Sequence, residues 1–461
     1  MNLTLFTLLV CAGGLFASHS GALTLQVLWC LFGAAAAIAL PELGGATITP
    51  AVLFLPFLLV RAIGERGVNG CLRQVAYPAA GFWLTLLVIW GVLSAYFLPR
   101  IFAGEVMIQA LDRAAFNLGI ALVPLHPVST NLTQSGYALG GVCAFVAVRT
   151  LLERRGVLDH LRDAVLLLAG LNCLAALINL GEFYLGLPGL LEYVRTGGYA
   201  MFDNYEVAGL MRIQGTFSET SAFSGFTLPL FAFTFSLWLY KVRTAYSGVL
   251  ALSSLVFLLI STSGTAYIGL AFYLSCLALG LAWRGIVFGR VPRLGALLLM
   301  GMLAPLITCG VFIFEPELAE RVADVFEITV LNKMQSSSGV ERSSWNQQAW
   351  SNFLDTYGVG VGLGSARASS YPLVLLSNVG VIGTLFFLVF LIRLFRSNTL
   401  HHASPDRAAV RASKQAIFAA LISASFSGAV FDLSVLFYVF AAVAVAPPVS
   451  TPATGRTHAY A

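Results

Sequence analysis

The sequence predicts an all-α fold: a polytopic transmembrane helical bundle of about 12–13 spans with large extracytoplasmic loops. Three observations predict it. Hydrophobic residues make up 58% of the 461 and charged residues only 10%, more apolar surface than one soluble core can hide. Apolar runs approaching the roughly 20 residues that cross a hydrocarbon core recur along nearly the whole chain, which a single leader peptide does not explain. Lys and Arg are concentrated in alternate connections between those runs, as the orientation of membrane proteins requires.

Taken in order, the runs lie near 3–18, 22–40, 46–63, 77–98, 136–152, 164–181, 219–240, 247–262, 265–283, 294–314 and 371–392, with a final pair between 415 and 446. The first is short. The final pair is inferred because about 32 apolar residues exceed one crossing, and Gly428 with Asp432 offers a break between them. The chain divides into an N-terminal part with the first outer loop (1–135), a membrane core with outer loops 181–218 and 315–370 (136–395), and a C-terminal helix pair with its tail (396–461).

Connections 61–73, 149–163, 241–243, 284–293 and 393–414 carry 3, 4, 2, 3 and 5 basic residues, which with Arg456 makes 18. The other side holds the remaining 8, together with 16 of the 21 acidic residues, so the two faces carry +13 and −8. The basic face is expected to be cytosolic. Three long connections, 99–135, 181–218 and 315–370, then lie outside. Transporters commonly keep ionisable residues inside their spans; here the spans are almost free of charge, and the polar chemistry is concentrated in the outer loops.

The formal net charge of +5 does not mark a nucleic-acid binder, because no basic run stands clear of an apolar segment. Six of the seven cysteines (Cys11, Cys30, Cys143, Cys173, Cys276, Cys309) fall in or beside apolar spans and Cys71 lies in a basic loop, with neither a disulfide framework nor a metal spacing. None of His19, His126, His160, His401, His402 and His458 has a partner at ligand spacing, and no metal or cofactor is expected. His126, between Pro124 and Pro127, is the one histidine placed to reach an outer site, and a rigid turn is its plainer reading. Asn-Leu-Thr at Asn2 and Asn131 matters only in a eukaryotic secretory context.

Three outer segments carry candidate chemistry. The first is Arg212-Ile-Gln-Gly-Thr-Phe-Ser-Glu219-Thr-Ser221, which opens a span, with Ser218 as a suitable N-cap. An outward-facing helix start favours an anion, and Arg212, the only basic residue near it in sequence, can grip phosphate oxygens. Glu219 has two readings, complement to the helix dipole or base for a hydroxyl proton. The second is Ser336 to Tyr371. Glu341, Arg342, Trp345, Trp350, Phe353, Leu354 and Tyr357 recur at helical spacing, as in an amphipathic helix on the outer membrane surface. Arg342 and Trp345, three apart, share a face, so stacking, shared substrate contact and ordinary interfacial snorkelling all stay open. Glycines then alternate at 358, 360, 362 and 364, which lets backbone approach something closely, and Arg367 with Ser369 and Ser370 reaches a second outward helix start. The third is the turn Ser261-Thr-Ser263-Gly-Thr265. Capping of the next helix is the plainest account of Ser263, and its hydroxyl is also suited to a sugar pocket.

Arg212 with Gly215-Thr-Phe-Ser-Glu219, Ser261-Thr-Ser263-Gly264, Arg342 with Trp345, Gly360-Val-Gly362-Leu-Gly364-Ser and Asn378-Val-Gly380-Val-Ile-Gly383 follow one another in an order that resembles the O-antigen ligase and polymerase superfamily, over roughly residues 130–395. The resemblance implies a bundle of about a dozen helices in the bacterial inner membrane, with glycosyl transfer on its periplasmic face. It also implies undecaprenyl-pyrophosphate-linked oligosaccharide as donor, held by external-loop arginines without a metal. Arg212 and Arg342 match the family's arginine positions, and Arg367 falls in a Gly-Ser-x-Arg-x-Ser-Ser stretch similar to exopolysaccharide-type polymerases. Ligases of the superfamily resemble one another in a His shortly after the glycine run, and 358–380 contains none. A polymerase is therefore expected over a ligase, with a chain-length regulator, a flippase and membrane lipids as partners. Many members carry Arg where Gly264 follows Ser263, so one cation of the pattern is missing. Transfer to another acceptor and transport of lipid or polysaccharide are the alternatives.

Overall fold

The computed structural model describes residues 2–41, 45–112, 119–198, 206–207, 209–289, 291–332, 336–398 and 403–448. Fifteen α-helices follow one another in these residues: α1 (Leu5–Phe16), α2 (His19–Trp29), α3 (Pro50–Val75), α4 (Ala80–Ile101), α5 (Ser129–Leu151), α6 (Val157–Tyr184), α7 (Thr220–Leu239), α8 (Thr244–Ile260), α9 (Gly264–Phe288), α10 (Leu294–Phe314), α11 (Pro316–Phe326), α12 (Ser337–Asp355), α13 (Tyr371–Arg396), α14 (Ser404–Ser427) and α15 (Val435–Ala444). Three small antiparallel sheets decorate them: β1 (Asn2–Leu3), β2 (Ile38–Leu40) and β3 (Ala46–Ile48); the hairpin β4 (Met107–Asp112) and β5 (Gly119–Pro124); and the hairpin β6 (Glu206–Val207) and β7 (Leu210–Met211). Their registers set Ile38 opposite Ile48, Met107 opposite Pro124, and Glu206 opposite Met211.

By length and composition, α4, α6, α7, α9 and α13 are long and apolar enough to cross a membrane. The chain is an all-α helical membrane protein. Each apolar run meets a helix, but three boundaries differ from the sequence reading. The run at 22–40 is helical only to Trp29. Beyond it, Gly33 and four alanines bring the chain close enough to pair by backbone: Ala34 N–H donates to Thr216 O at 3.2 Å and Gly197 N–H donates to Ala34 O at 2.8 Å. These tertiary bonds replace the helix that apolarity alone favours. The basic stretch 61–73, read as a loop, continues α3 past a kink at Gly67. The last run, α15, has only ten residues, all buried; at about 1.5 Å per residue it is too short to cross, and it is sheathed by α5 and α14 instead of by lipid.

The core joins α3, α4, α5, α7, α13, α14 and α15 in one apolar cluster that includes Phe54, Phe145, Phe390 and Phe440. Two polar ends follow from this packing. At one, basic connections meet: Arg154 Nη1 lies 3.3 Å from Glu65, Arg66 Nε 3.7 Å from Glu153, and Arg243 Nη2 2.9 Å from Asp163. At the other, β4 of the first loop read as outer meets α12 and Arg367 of the third, and Arg212 of the second feels Arg342.

Candidate functional site

Arg212 follows β7 at the head of a loop fastened from below. Asn179, on α6, accepts from Gln214 N–H at 2.9 Å and from Gly215 N–H at 3.1 Å. Ile213 and Phe217 bury against Cys173, Ala176, Phe223 and Phe257. Gly215 sits at φ +56° with a Phe223 ring carbon 3.1 Å from where a Cβ would stand, so a side chain there is disfavoured by both backbone and space. Arg195 also reaches this loop, its Nε donating to Gly215 O at 2.9 Å. Arg212 is thus not the only basic residue near the helix start; Arg195 was hidden by 17 residues of sequence separation. The α7 N-cap is Glu219, not Ser218, and no side chain caps it. The Glu219 carboxylate instead accepts from Ser221 Oγ at 2.5 Å.

Arg342 and Trp345 lie on α12, which begins at a Ser336 N-cap whose hydroxyl accepts from Gly339 N–H at 3.1 Å. The helix packs on α13 and β4, with Gln348 Nε2 donating to Met107 O at 2.8 Å. Trp345 takes Arg367, not Arg342, as its cation partner, with the guanidinium 5.2 Å from the ring centroid. Asn346 on the same helix accepts from Ser369 N–H at 2.8 Å.

The glycine run approaches the protein's own helices. Gly358, Gly360, Gly362 and Gly364 all have φ between +80° and +99°, a region open to glycine and strained for other residues. A Cβ on Gly364 would stand 2.5 Å from Thr130 O, and one on Gly360 2.9 Å from Ser377 O. α13 opens at Gly380 (φ 63°) to receive the run: Val361 N–H donates to Ser377 O at 2.7 Å, Gly362 N–H to Asn378 O at 3.0 Å and Val381 N–H to Gly358 O at 2.9 Å. Asn378 completes the seam. Its Oδ1 accepts from Gly364 N–H at 3.0 Å and Ala366 N–H at 3.3 Å, while its Nδ2 donates to Ala366 O at 2.9 Å. Arg367 then projects from a fixed backbone, its own N–H bonded to Gln109 O on β4 at 3.0 Å.

Arg212, Glu219, Arg342 and Arg367, which lie in two loops and on one helix, therefore share one electrostatic neighbourhood. Burial pulls the Arg212 guanidinium below its ordinary pKa, Glu219 opposes that and Arg342 adds to it. Arg367 is lowered for the same first reason, with Glu219 and Glu341 opposing and Arg342 adding. None of the three arginines takes part in an ion pair among the described residues. The Nε atoms of Arg212 and Arg367 are buried without an acceptor, a state that costs about 1–3 kcal/mol per group or more unless an acceptor is bound. Such a set suits a polyoxyanion.

Glu219 also forms part of the wall of a cavity of about 590 Å³ that runs inward between α2, α5, α7, α14 and α15. Asp432, in the connection between α14 and α15, faces the same cavity, with Gln134, Tyr137, Ser221 and Tyr371. Burial pushes its pKa up to about 7, opposed by a hydrogen bond from Ser434 N–H. No Lys or Arg lines this cavity among the described residues. Trp29 Nε1 and Gln134 Oε1, on its wall, are buried without partners. In sequence Asp432 marks a helix break; it is also a lone carboxylate inside an apolar run, the signal that points to this cavity.

Ser263 is the N-cap of α9, its hydroxyl makes no cap bond, and it is 2% exposed. Thr262, not Ser263, turns toward Arg212's strand, donating to Met211 O at 3.4 Å. Ser370 is the N-cap of α13 and Ser369 is buried behind Asn346. His126 accepts no partner from the cluster; its Nδ1 pairs with Pro124 O at 2.8 Å. His401, His402 and His458 lie outside the described residues. Among the described residues no group of three His, Cys, Asp or Glu is arranged to hold a metal.

Fold and site together define a helical membrane protein with a cationic cluster beside an acidic cavity. The chain matches no family model, no curated protein and no solved structure.

Proposed function

We propose that the protein is a polysaccharide polymerase of the O-antigen ligase and polymerase kind, moving a glycan from undecaprenyl pyrophosphate to a hydroxyl of a lipid-linked sugar at the outer face of the bacterial inner membrane. One observation carries it: Arg212 and Arg367 both feel Glu219 and Arg342, none of the three arginines takes part in an ion pair among the described residues, and Arg212 and Arg367 each keep a buried Nε–H without an acceptor.

In this reaction the acceptor hydroxyl oxygen forms a bond to the anomeric carbon as the bond from that carbon to the pyrophosphate oxygen breaks. The electron pair leaves with the lipid pyrophosphate, and the hydroxyl proton passes to a carboxylate. Pyrophosphate is already a competent leaving group, so the protein's work is to position two lipid-linked sugars and to stabilise charge on the departing phosphate. Arg212 and Arg342 take that role, with Arg367 held ready by Trp345. Glu219 is the proposed base, since it borders both the arginines and the cavity. Asp432 is a second proton acceptor lining the same cavity, whose described lining carries no Lys or Arg and suits the neutral hydroxyls of a sugar.

In a strain lacking the chromosomal copy, Arg212→Ala and Arg342→Ala are expected to abolish polymer while leaving the protein in the membrane; normal-length polymer from both would refute the assignment. A transporter reading draws support from Asp432, a carboxylate facing an internal cavity. Glycan translocation into vesicles with no change in chain length would favour it.

A further inference from the structure

The end of the bundle opposite Arg212 carries a recess that glycan transfer does not use. It holds about 330 Å³ between the last turns of α7, the second half of α9, the end of α13 and the first half of α14. Arg284, Arg411 and Lys414 line it. Arg284 Nη1 donates to Tyr240 Oη at 2.5 Å, and the guanidinium groups of Arg284 and Arg411 lie 5.9 and 5.1 Å from the Tyr240 ring centroid. Lys414 Nζ donates to Phe395 O at 3.2 Å and Ser397 O at 2.8 Å, at the end of α13.

Several basic neighbours carry a carboxylate partner. At the same end, Arg66 and Arg149 pair with Glu153, Arg154 with Glu65, and Arg162 and Arg243 with Asp163. Arg284, Arg411 and Lys414 take part in no ion pair among the described residues, and no acidic side chain lines their recess. Three like charges drawn together without a carboxylate repel one another, and a bound anion relieves that repulsion. The remaining wall is apolar, with Phe235, Leu239, Leu277, Leu281 and Phe418. α9, which supplies much of it, is the least buried of the long apolar helices, with 28% of its hydrophobic window inside the protein, and Leu279, Trp283 and Ile286 are exposed beside the recess. The site therefore offers cations to a phosphate and an apolar track to what is attached to it.

We propose that this recess binds the phosphate headgroup of an anionic phospholipid, with the acyl chains lying along α9. Basic pockets between membrane helices on the cytosolic side hold such headgroups, and a free phosphate would meet the cations while leaving the apolar wall bare. The site is independent of the outer chemistry and stands whether or not glycan transfer does.

The test is thermal unfolding of the full-length protein in neutral detergent, with dimyristoylphosphatidylglycerol, dimyristoylphosphatidylcholine or glycerol 1-phosphate added at equal concentration. Phosphatidylglycerol is expected to raise Tm, with no shift from the other two. Arg284→Gln with Arg411→Gln is expected to lose the rise. Gly280→Phe is expected to lose it too with every cation in place, because a Cβ at Gly280, on the recess wall, meets nothing within 4 Å and the ring can fill the space. Arg393→Gln, at an exposed position on α13 that does not line the recess, is expected to keep it. An equal rise with glycerol phosphate would assign the recess to a free anion and overturn the lipid, as would an equal rise with phosphatidylcholine. A full rise in both recess variants, or its loss in Arg393→Gln, would also overturn it.

Discussion

Replacing Asn378 with Ala should release the loop that holds Arg367 without unfolding the bundle. The side chain is 1% exposed and its amide oxygen is the acceptor for both Gly364 N–H and Ala366 N–H. Truncation leaves those two donors without a partner and takes the donor from Ala366 O. At about 1.5 kcal/mol for each stranded N–H, the loop loses about 3 kcal/mol of local stability, which at about 1.4 kcal/mol per decade is about a hundredfold in the population of the open loop. Trypsin reads this directly. The bond after Arg367 is protected while Arg367 N–H is tied to Gln109 O and Ser369 N–H to Asn346. Cleavage in the rapid-closing regime follows the open population, so the initial rate of cutting after Arg367 should rise about a hundredfold in Asn378→Ala. Ile382→Ala, 42% exposed on the same helix, should leave it unchanged. A rise below about threefold in Asn378→Ala would mean that the amide contributes less than about 0.7 kcal/mol and that the seam is held by other bonds.

Arg212→Ala and Arg342→Ala should each lower the rate of glycan transfer by about two to three orders of magnitude, measured as lipid-linked polymer formed in membrane vesicles. Trp345→Leu should cost about fivefold in the same assay, the worth of about 1 kcal/mol of cation–π contact, while Trp345→Phe recovers most of it. Asp432→Asn should separate stability from activity. Because the folded pKa is raised to about 7 from an ordinary carboxyl value of 3.8, the wild-type contribution is fully present below that ordinary value and is lost as pH rises through about 7. The variant should therefore unfold at a higher temperature than wild type at pH 8 and show no such advantage at pH 4. Transfer by the wild type should climb through neutral pH as the carboxylate ionises, and a loss of that climb in the variant checks Asp432 as a proton acceptor. Ser263→Ala should leave transfer within about twofold of wild type, since the hydroxyl makes no cap bond and is 2% exposed.

Apolar runs made most of the helices legible, because in a bilayer hydrogen-bonded helix is the economical way to carry twenty apolar residues across. They failed where backbone pairing took over. Gly33 and the alanines after it are as apolar as a span, yet they pair with Thr216 and Gly197. Charge counting assigned stretches to an end of the bundle but was silent on conformation, so Arg61, Arg66 and Arg73 were read in a loop and ride on a continuing helix. At the candidate site, Arg212 and Arg367 stand out in sequence as scarce cations beside helix starts, and Arg342 as a cation sharing a helical face with Trp345. Their convergence does not, since it depends on the pairing of α12 with β4 and of the glycine run with α13. Helical spacing set Trp345 beside Arg342 with stacking one of three open readings; its contact with Arg367 was out of reach because spacing sees only residues on its own helix. Arg195 and Asp432 were missed because each meets its neighbours across the fold.

The glycine run also fixes how this segment can vary through descent. Surface loops ordinarily absorb insertions and deletions. Here the residues between the glycines, Val361 and Leu363, are fully buried, while Gly360, Gly362 and Gly364 touch backbone that leaves no room for a methyl group. Adding or deleting one residue would exchange the two sets, driving valine and leucine against the carbonyls of Thr130 and Ser377 and emptying the core positions beneath. The segment can drift by substitution at its exposed edges, but its length is as constrained as its sequence.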